Sequence, residues 1–256
     1  MSGGTDMYRR TTLLAALLLV PAALSAQTLA QRVTTLGEGT LRLSFAARPG
    51  VCGNGGRSIT IVNDDDSDEW ESDCRPGPVR VSMRVHGGVV ADAHTYVGGR
   101  WRSSEGRAAD LGTLPANRAA TELLALAAAS RGDSEELITA ATLADSAVVW
   151  PALLGLARRT DLPLETRRHA VFWLGQAAGA AASRGLDSLA EDGSGELEVR
   201  KQAVFALSQR PADEGVPALI RIARTNAHAE LRKSAIFWLG QSEDPRAIAL
   251  FEEILR

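Results

Sequence analysis

The chain has 256 residues, 45% apolar, 5% aromatic and 23% charged, the balance of a folded domain or two rather than of a disordered or fibrous chain. With 28 basic against 31 acidic residues the net charge is -3, so no basic surplus points to nucleic acid. Only Lys201 and Lys233 are lysine; the excess of arginine and alanine is the compositional mark of a GC-rich bacterial coding sequence.

Residues 1–26 read as a secretory signal peptide. Arg9 and Arg10 precede an apolar run from Leu13 to Val20, followed by Pro21 and small residues ending at Ser25 and Ala26. Even extended to Leu24 the run is far short of the roughly 20 residues that span a bilayer as a helix, so no membrane span is expected after cleavage. Met7 is an alternative start to Met1. Cys52 and Cys74, the two cysteines of the chain, agree with export to the periplasm or medium: in an oxidising compartment an even pair forms one structural disulfide. A metal site would need more ligands nearby, and a redox pair closer spacing.

Between residues 37 and 103 the pattern alternates with period two and is broken by Gly, Asn, Asp and Pro, which predicts a β-rich unit. In PVRVSMRVHGGVVADAHTYVGG, Val79, Val81, Met83 and Val85 share one face. A three-residue turn His86-Gly87-Gly88 is expected to return the chain with Val89, Ala91, Ala93 and Val97 on that face and Asp92, His94 and Tyr96 on the other. Seven carboxylates crowd between Asp64 and Asp73. Asp64, Asp66 and Asp68 match the first ligand positions of a calcium loop, but Glu69 stands where glycine is needed and Arg75 where the closing glutamate is. A solvated acidic loop held by the disulfide and Trp70 is the favoured reading over a calcium site, and no metal is assigned.

After a Gly, Ser and Arg-rich connection the grammar becomes helical from about 115 to 256. ETRRHAVFWLGQ (165–176), EVRKQAVFALSQ (198–209) and ELRKSAIFWLGQ (230–241) align without gaps at offsets of 33 and 32. WPALLGLARR (150–159) recurs as VPALIRIART (216–225) at an offset of 66. A period near 33 built of two helices predicts a solenoid, in which each pair buries its apolar stripe only by stacking on its neighbours. These residues resemble the HEAT-repeat family, an armadillo-type fold, specifically the short subtype named after phycobilisome lyases, whose second helix runs Val-Arg, Ala, a small apolar residue and Leu-Gly. The resemblance covers 150–256 well and 115–145 loosely. The fold class is therefore α+β: a small β-rich unit followed by an α-solenoid.

Within the repeats, Ala170, Val171 and Leu174, with Ala203, Val204 and Leu207 and with Ala235, Ile236 and Leu239, form the expected core. Arg167, Arg200 and Arg232 lie seven residues before each core leucine and are expected to staple repeats together through loop acids such as Asp213 and Asp244, as the resemblance implies. Phe172, Phe205 and Phe237 fall two before the core leucines, about 160° round the helix at roughly 100° per residue, where polar residues are usual. Three such rings on stacked helices make an apolar stripe, flanked by Trp173 and Trp238 at the edge of the core. Lateral packing and partner binding are both open readings of that stripe. His169 and His228 read as ordinary exposed positions.

No nucleophile elbow, phosphate loop or zinc-protease motif occurs, and none of His86, His94, His169 and His228 is followed by the Glu that di-iron HEAT enzymes pair with it. No catalytic residue and no cofactor is assigned. The expected function is an exported, non-enzymatic scaffold for a protein or peptide partner, with Phe172, Trp173, Phe205, Phe237 and Trp238 as the contact residues. The alternatives are an enzyme with a site where the two halves meet, or a structural spacer. Oligomeric state is not legible.

Overall fold

The computed structural model of the protein describes residues 27–56, 58–61, 74–101, 108–130 and 132–256. The leader and the acidic segment Asp64–Asp73 lie outside the described residues.

The first element is a helix that the alternation pattern does not announce, α1 (Leu29–Leu36). The Thr28 hydroxyl accepts from the Gln31 N–H at 3.2 Å, and the Gln31 side chain accepts from the Thr28 N–H at 2.9 Å. This reciprocal box satisfies donors that the first turn otherwise leaves free. Two buried residues, Leu29 and Val33, anchor the helix, too few to make a visible period.

The main sheet has the order β6-β5-β1-β7. Its strands are β1 (Gly39–Phe45), β5 (Val79–His86), β6 (Val89–Val97) and β7 (Ala108–Thr113). A smaller sheet, β3-β2-β4, holds β2 (Val51–Gly53), β3 (Ile59–Ile61) and β4 (Arg75–Pro76). Leu41, Leu43 and Phe45 on β1 and Val79, Val81, Met83 and Val85 on β5 face the core together, the alternation of a sheet covered on one side. β7 runs parallel to β1 inside the segment that reads as a connection; its sequence, AADLGT, carries no alternation and is ordered by pairing.

The β5–β6 hairpin departs from the expected turn. His86 pairs with Val89 across a two-residue turn, Gly87-Gly88, in which both glycines have positive φ (58° and 73°), the conformation of tight hairpins. The register then shifts: Val85 pairs with Val90 and Arg84 with Asp92, leaving Ala91 as the extra residue of a bulge. Val89 and Ala91 therefore face out, whereas Ala93 and Val97 face in, and Asp92, His94 and Tyr96 stay on the polar face. The bulge, not the turn, sets the burial of the strand's second half.

Among the described residues nine helices follow: α2 (Ala116–Ala129), α3 (Ser134–Thr142), α4 (Trp150–Arg158), α5 (Leu164–Gln176), α6 (Ala180–Glu191), α7 (Leu197–Ser208), α8 (Ala212–Thr225), α9 (Ala229–Gly240) and α10 (Pro245–Ile254). They form four hairpin pairs and a last first-type helix, α10. The second helices α3, α5, α7 and α9 stack in one layer, and α2, α4, α6, α8 and α10 in the other. Close approach within the second layer is set at Gly175, where an added Cβ would lie 3.0 Å from the Ala206 Cβ. The expected core triplets are buried except Ile236, which is 37% exposed because no described element covers that side of α9.

Of the stapling arginines, Arg167 and Arg200 are buried and Arg232 is half-buried, but their partners differ from those expected. Arg167 pairs with Glu196; Arg200 donates through Nε to the Ala190 carbonyl at 3.1 Å; Arg232 donates to the carbonyls of Asn226 (2.8 Å) and Ala227 (3.1 Å). Helix ends expose carbonyls without intrahelical donors, and a guanidinium at the adjacent helix satisfies them. Asp213 is exposed, and Asp244 serves as the cap of α10, accepting from the Arg246 N–H at 2.9 Å, its carboxyl pushed down to about 2 by the Arg246 hydrogen bonds.

The sheet and the helices share one apolar core. Cys52 on β2 and Cys74 before β4 are bonded across Cα atoms 5.2 Å apart. The bond closes a 22-residue separation, for which loop entropy contributes about 3 kcal/mol. Replacing both cysteines by serine is expected to lower the unfolding free energy in denaturant by about that amount; an unchanged midpoint would show that the bridge does not constrain the unfolded chain.

Candidate functional site

The second-helix face carries a repeated pattern. At the start of each helix an acid precedes a base by three residues: Glu165 with Arg168 (3.1 Å), Glu198 with Lys201 (3.3 Å) and Glu230 with Lys233 (3.3 Å). Four residues on, one turn further along the same face, come Phe172, Phe205 and Phe237; four more bring Gln176, Gln209 and Gln241, all exposed. Stacking the helices thus lays a basic row, an apolar row and an amide row side by side. The spacing EXXR/K, then F, then Q is legible in the aligned repeats, but sequence reasoning took from it only the phenylalanines.

The rings are not equivalent. Phe237 is 57% exposed and Phe172 39%, while Phe205 is half-buried. Phe205 meets Trp238 of the next repeat with ring centres 5.0 Å apart, and Trp238 also takes Phe237 edge-on at 4.9 Å, so three rings of two repeats form one cluster. Trp173, at the position of Trp238, is buried, with 8% exposure, and cannot offer its face to a partner. Its indole N–H donates to Thr139 Oγ1 at 3.2 Å and to His169 Nε2 at 3.0 Å. The preceding repeat presents there a threonine rather than a ring, and the indole turns in to reach it. Trp173 is therefore a support for Phe172, whose ring it meets edge-on at 5.4 Å.

His169, expected on the surface, belongs to this support. An indole can only donate, so Nε2 must accept, and the neutral imidazole carries its proton on Nδ1. Burial holds the His169 pKa below its ordinary value, against the opposing pull of Glu135 and Glu136. His228 is half-buried as well.

A second concavity of about 360 Å³ opens where the sheet meets the helices, lined by Arg48, Thr142, Trp150, Trp173 and Gln176. Arg48 is half-buried, its pKa lowered by desolvation, and it reaches this cleft because its own N–H donates to the Leu143 carbonyl at 2.8 Å. Thr142 and Gln176 add polar groups beside it, but no acid–base pair lines the cleft among the described residues.

Two layers of antiparallel helix pairs capped by a sheet define the protein as an α-solenoid. A family model described as HEAT repeats matches residues 186–256, from α6 to the end of the chain, so this part is similar to HEAT repeats. The strand-rich half lies outside that match, and no curated protein matches the chain. HEAT repeats are typically non-enzymatic and suggest a protein-interaction or scaffold role.

The geometry of His169 predicts a pH dependence. A group whose native pKa is lowered binds fewer protons folded than unfolded, so stability is full above the unfolded value, about 6.5, and falls as pH drops below it. Melting temperature should decline as pH falls below about 6.5, and His169→Gln should flatten that decline; an equal slope in the variant would place the titration elsewhere.

Proposed function

We propose that the protein is an exported, non-enzymatic scaffold of the bacterial periplasm or medium that holds an extended peptide segment of a partner protein across α5, α7 and α9. The observation that carries this reading is the row of phenylalanines, two of them exposed, repeated at equivalent positions of stacked helices. Apolar rings presented in register on a folded surface favour a partner with apolar side chains at matching intervals. Helices packed 8–10 Å apart place the outer two phenylalanine rows roughly 20 Å apart, the span of about six extended residues. The glutamines beside the rings supply amide donors and acceptors suited to a peptide main chain, and the Glu–Arg/Lys pairs give the other bank a polar rim.

Export is supported by the tripartite leader and by the disulfide. The first described residues are already engaged: Thr28 caps α1, and Arg118 donates to the Gln27 carbonyl at 3.1 Å. A mature chain beginning at Gln27 would keep all of these contacts. No helix among the described residues is long and apolar enough to cross a membrane. Mass spectrometry of the protein recovered from the cell envelope should give an N-terminus near Gln27; a chain that retains residues 13–24 would overturn the exported form.

The binding face is tested by separating exposed from buried rings. Phe172→Ser with Phe237→Ser should cost little stability, about 1 kcal/mol together, because exposed substitutions are usually small, yet abolish retention of the partner in affinity capture from periplasmic extract. Trp173→Ala, by contrast, should cost about 3–5 kcal/mol as a buried aromatic does. A double serine variant that captures the same partner as the parent would remove this face from the function.

A further inference from the structure

The outer face of the main sheet holds a cavity of about 360 Å³, remote from the phenylalanine row in sequence and built from β1, β5, β6 and the loops beside them. Three arginines line it, Arg42, Arg80 and Arg100, together with Tyr96, Trp101 and Ser82, and among the described residues no carboxylate lines it. The chain as a whole is acidic, at net charge -3, so this concentration of positive charge is local and specific.

Each arginine is held by a different device. The Arg42 guanidinium lies over the Trp101 ring, 5.1 Å from its centre, and its Nε donates to Asp110 at 2.9 Å. Arg80 donates through Nη1 to the Gly98 carbonyl at 2.5 Å. Arg100 is exposed, and its side chain has no hydrogen-bond or ion-pair partner among the described residues. Arg84, on the same face of β5, is instead paired with Asp92 at 2.5 Å and lines no part of the cavity. Among the described residues, Arg84 outside the cavity is paired with a carboxylate, whereas of the three arginines within it only Arg42 meets one, Asp110. Guanidinium groups that line one cavity repel one another, and an oxyanion between them relieves that repulsion through charge-assisted, often bidentate hydrogen bonds.

The cavity is also preformed. Its wall is a contact of bare backbones: a Cβ on Gly55 would stand 2.8 Å from the Gly99 Cα, and one on Gly77 would stand 2.6 Å from the Gly98 Cα. Gly55, Gly98 and Gly99 all have positive φ, which glycine adopts without strain. A volume of this size takes a small molecule rather than a chain segment with bulky side chains. The aromatic rings beside the arginines suit a flat apolar body behind the anionic group.

We propose that this cavity is a binding site for a small molecule carrying a carboxylate or phosphate on a flat body, with the oxyanion on Arg42, Arg80 and Arg100 and the body against Trp101 and Tyr96. The proposal is independent of the peptide face. It is tested on the full disulfide-bonded protein by titration with phenyl phosphate and with benzoate at constant ionic strength, read by calorimetry and by indole fluorescence. Saturable binding of one molecule per chain is expected for at least one probe, and which of the two binds identifies the anion. Arg100→Gln should weaken it at least about tenfold, the value of one hydrogen bond to a charged group. Arg84→Gln should leave the affinity unchanged, and Trp101→Phe should remove the fluorescence signal. No saturation with either probe, equal affinity in Arg100→Gln, or inorganic phosphate binding as tightly as phenyl phosphate would each overturn the site as described; melting temperatures of the variants confirm that they are folded.

Discussion

The structure rests on an exchange of unsatisfied surfaces between the edge strand β6 and the start of the solenoid. An edge strand presents unpaired N–H groups, and the end of a helical stack presents an apolar face; each alone is a liability. Here the Ala93 N–H donates to the Asp133 carboxylate at 2.8 Å and the Thr95 N–H to the Glu136 carboxylate at 2.7 Å, while the Ser130 hydroxyl donates to the Val90 carbonyl at 3.3 Å. Hydrogen bonds to charged acceptors are among the stronger ones, about 1.5–3 kcal/mol each. They cover the strand edge with the turn before α3 and its first residues, and they bring Val90, Ala93 and Val97 into the same core as Leu137 and Ile138. At the far side of the sheet the Ala47–Ala144 bridge and the Asp145 N–H to Ala46 carbonyl bond of 2.9 Å make a second tie. The sheet is thus the cap of the first helix pair, and the bulge at Ala91 is what turns the right residues of β6 toward it.

From that capped start the stack is propagated by buried polar links as well as by apolar stripes. Asn226, 3% exposed, accepts from Arg200 and donates to the Ala190 carbonyl and to Glu191, while its own carbonyl takes Arg232. One asparagine thereby ties the ends of α6 and α8 to α7 and α9. Buried groups of this kind are costly unless every one is satisfied, so the network specifies the spacing of the repeats rather than merely tolerating it. That spacing is what puts Phe205 on Trp238 and leaves Phe172 and Phe237 open.

Two surfaces of opposite chemistry result. The helical face is apolar with balanced ion pairs along its rim; the sheet face is cationic with aromatic backing. The first is built by repetition, so any segment that binds it reads several equivalent positions. The second is built once, beside glycine loops whose backbones touch, and its size suits a small ligand.

The sequence alone determines the period, the pairing of helices, the core triplets apart from Ile236, and the disulfide, because each is a local pattern or a count: apolar residues at three and four spacing, a repeat near 33, two cysteines. It also determines that Phe172, Phe205 and Phe237 are equivalent by position. What tertiary structure decides is what each position faces. Trp173 and Trp238 align in sequence, yet one turns in to Thr139 and His169 and the other packs against Phe205, because the preceding repeats present different side chains. Ile236 aligns with the buried Val171 and Val204 but is exposed, since burial comes from a neighbour and not from the residue. α1, β7 and the bulge at Ala91 lack any local signature for the same reason: capping at Thr28 aside, they are ordered by partners distant in the chain. The arginine cavity gathers Arg42, Arg80 and Arg100 from separate strands and loops, and no spacing rule along the chain could have joined them.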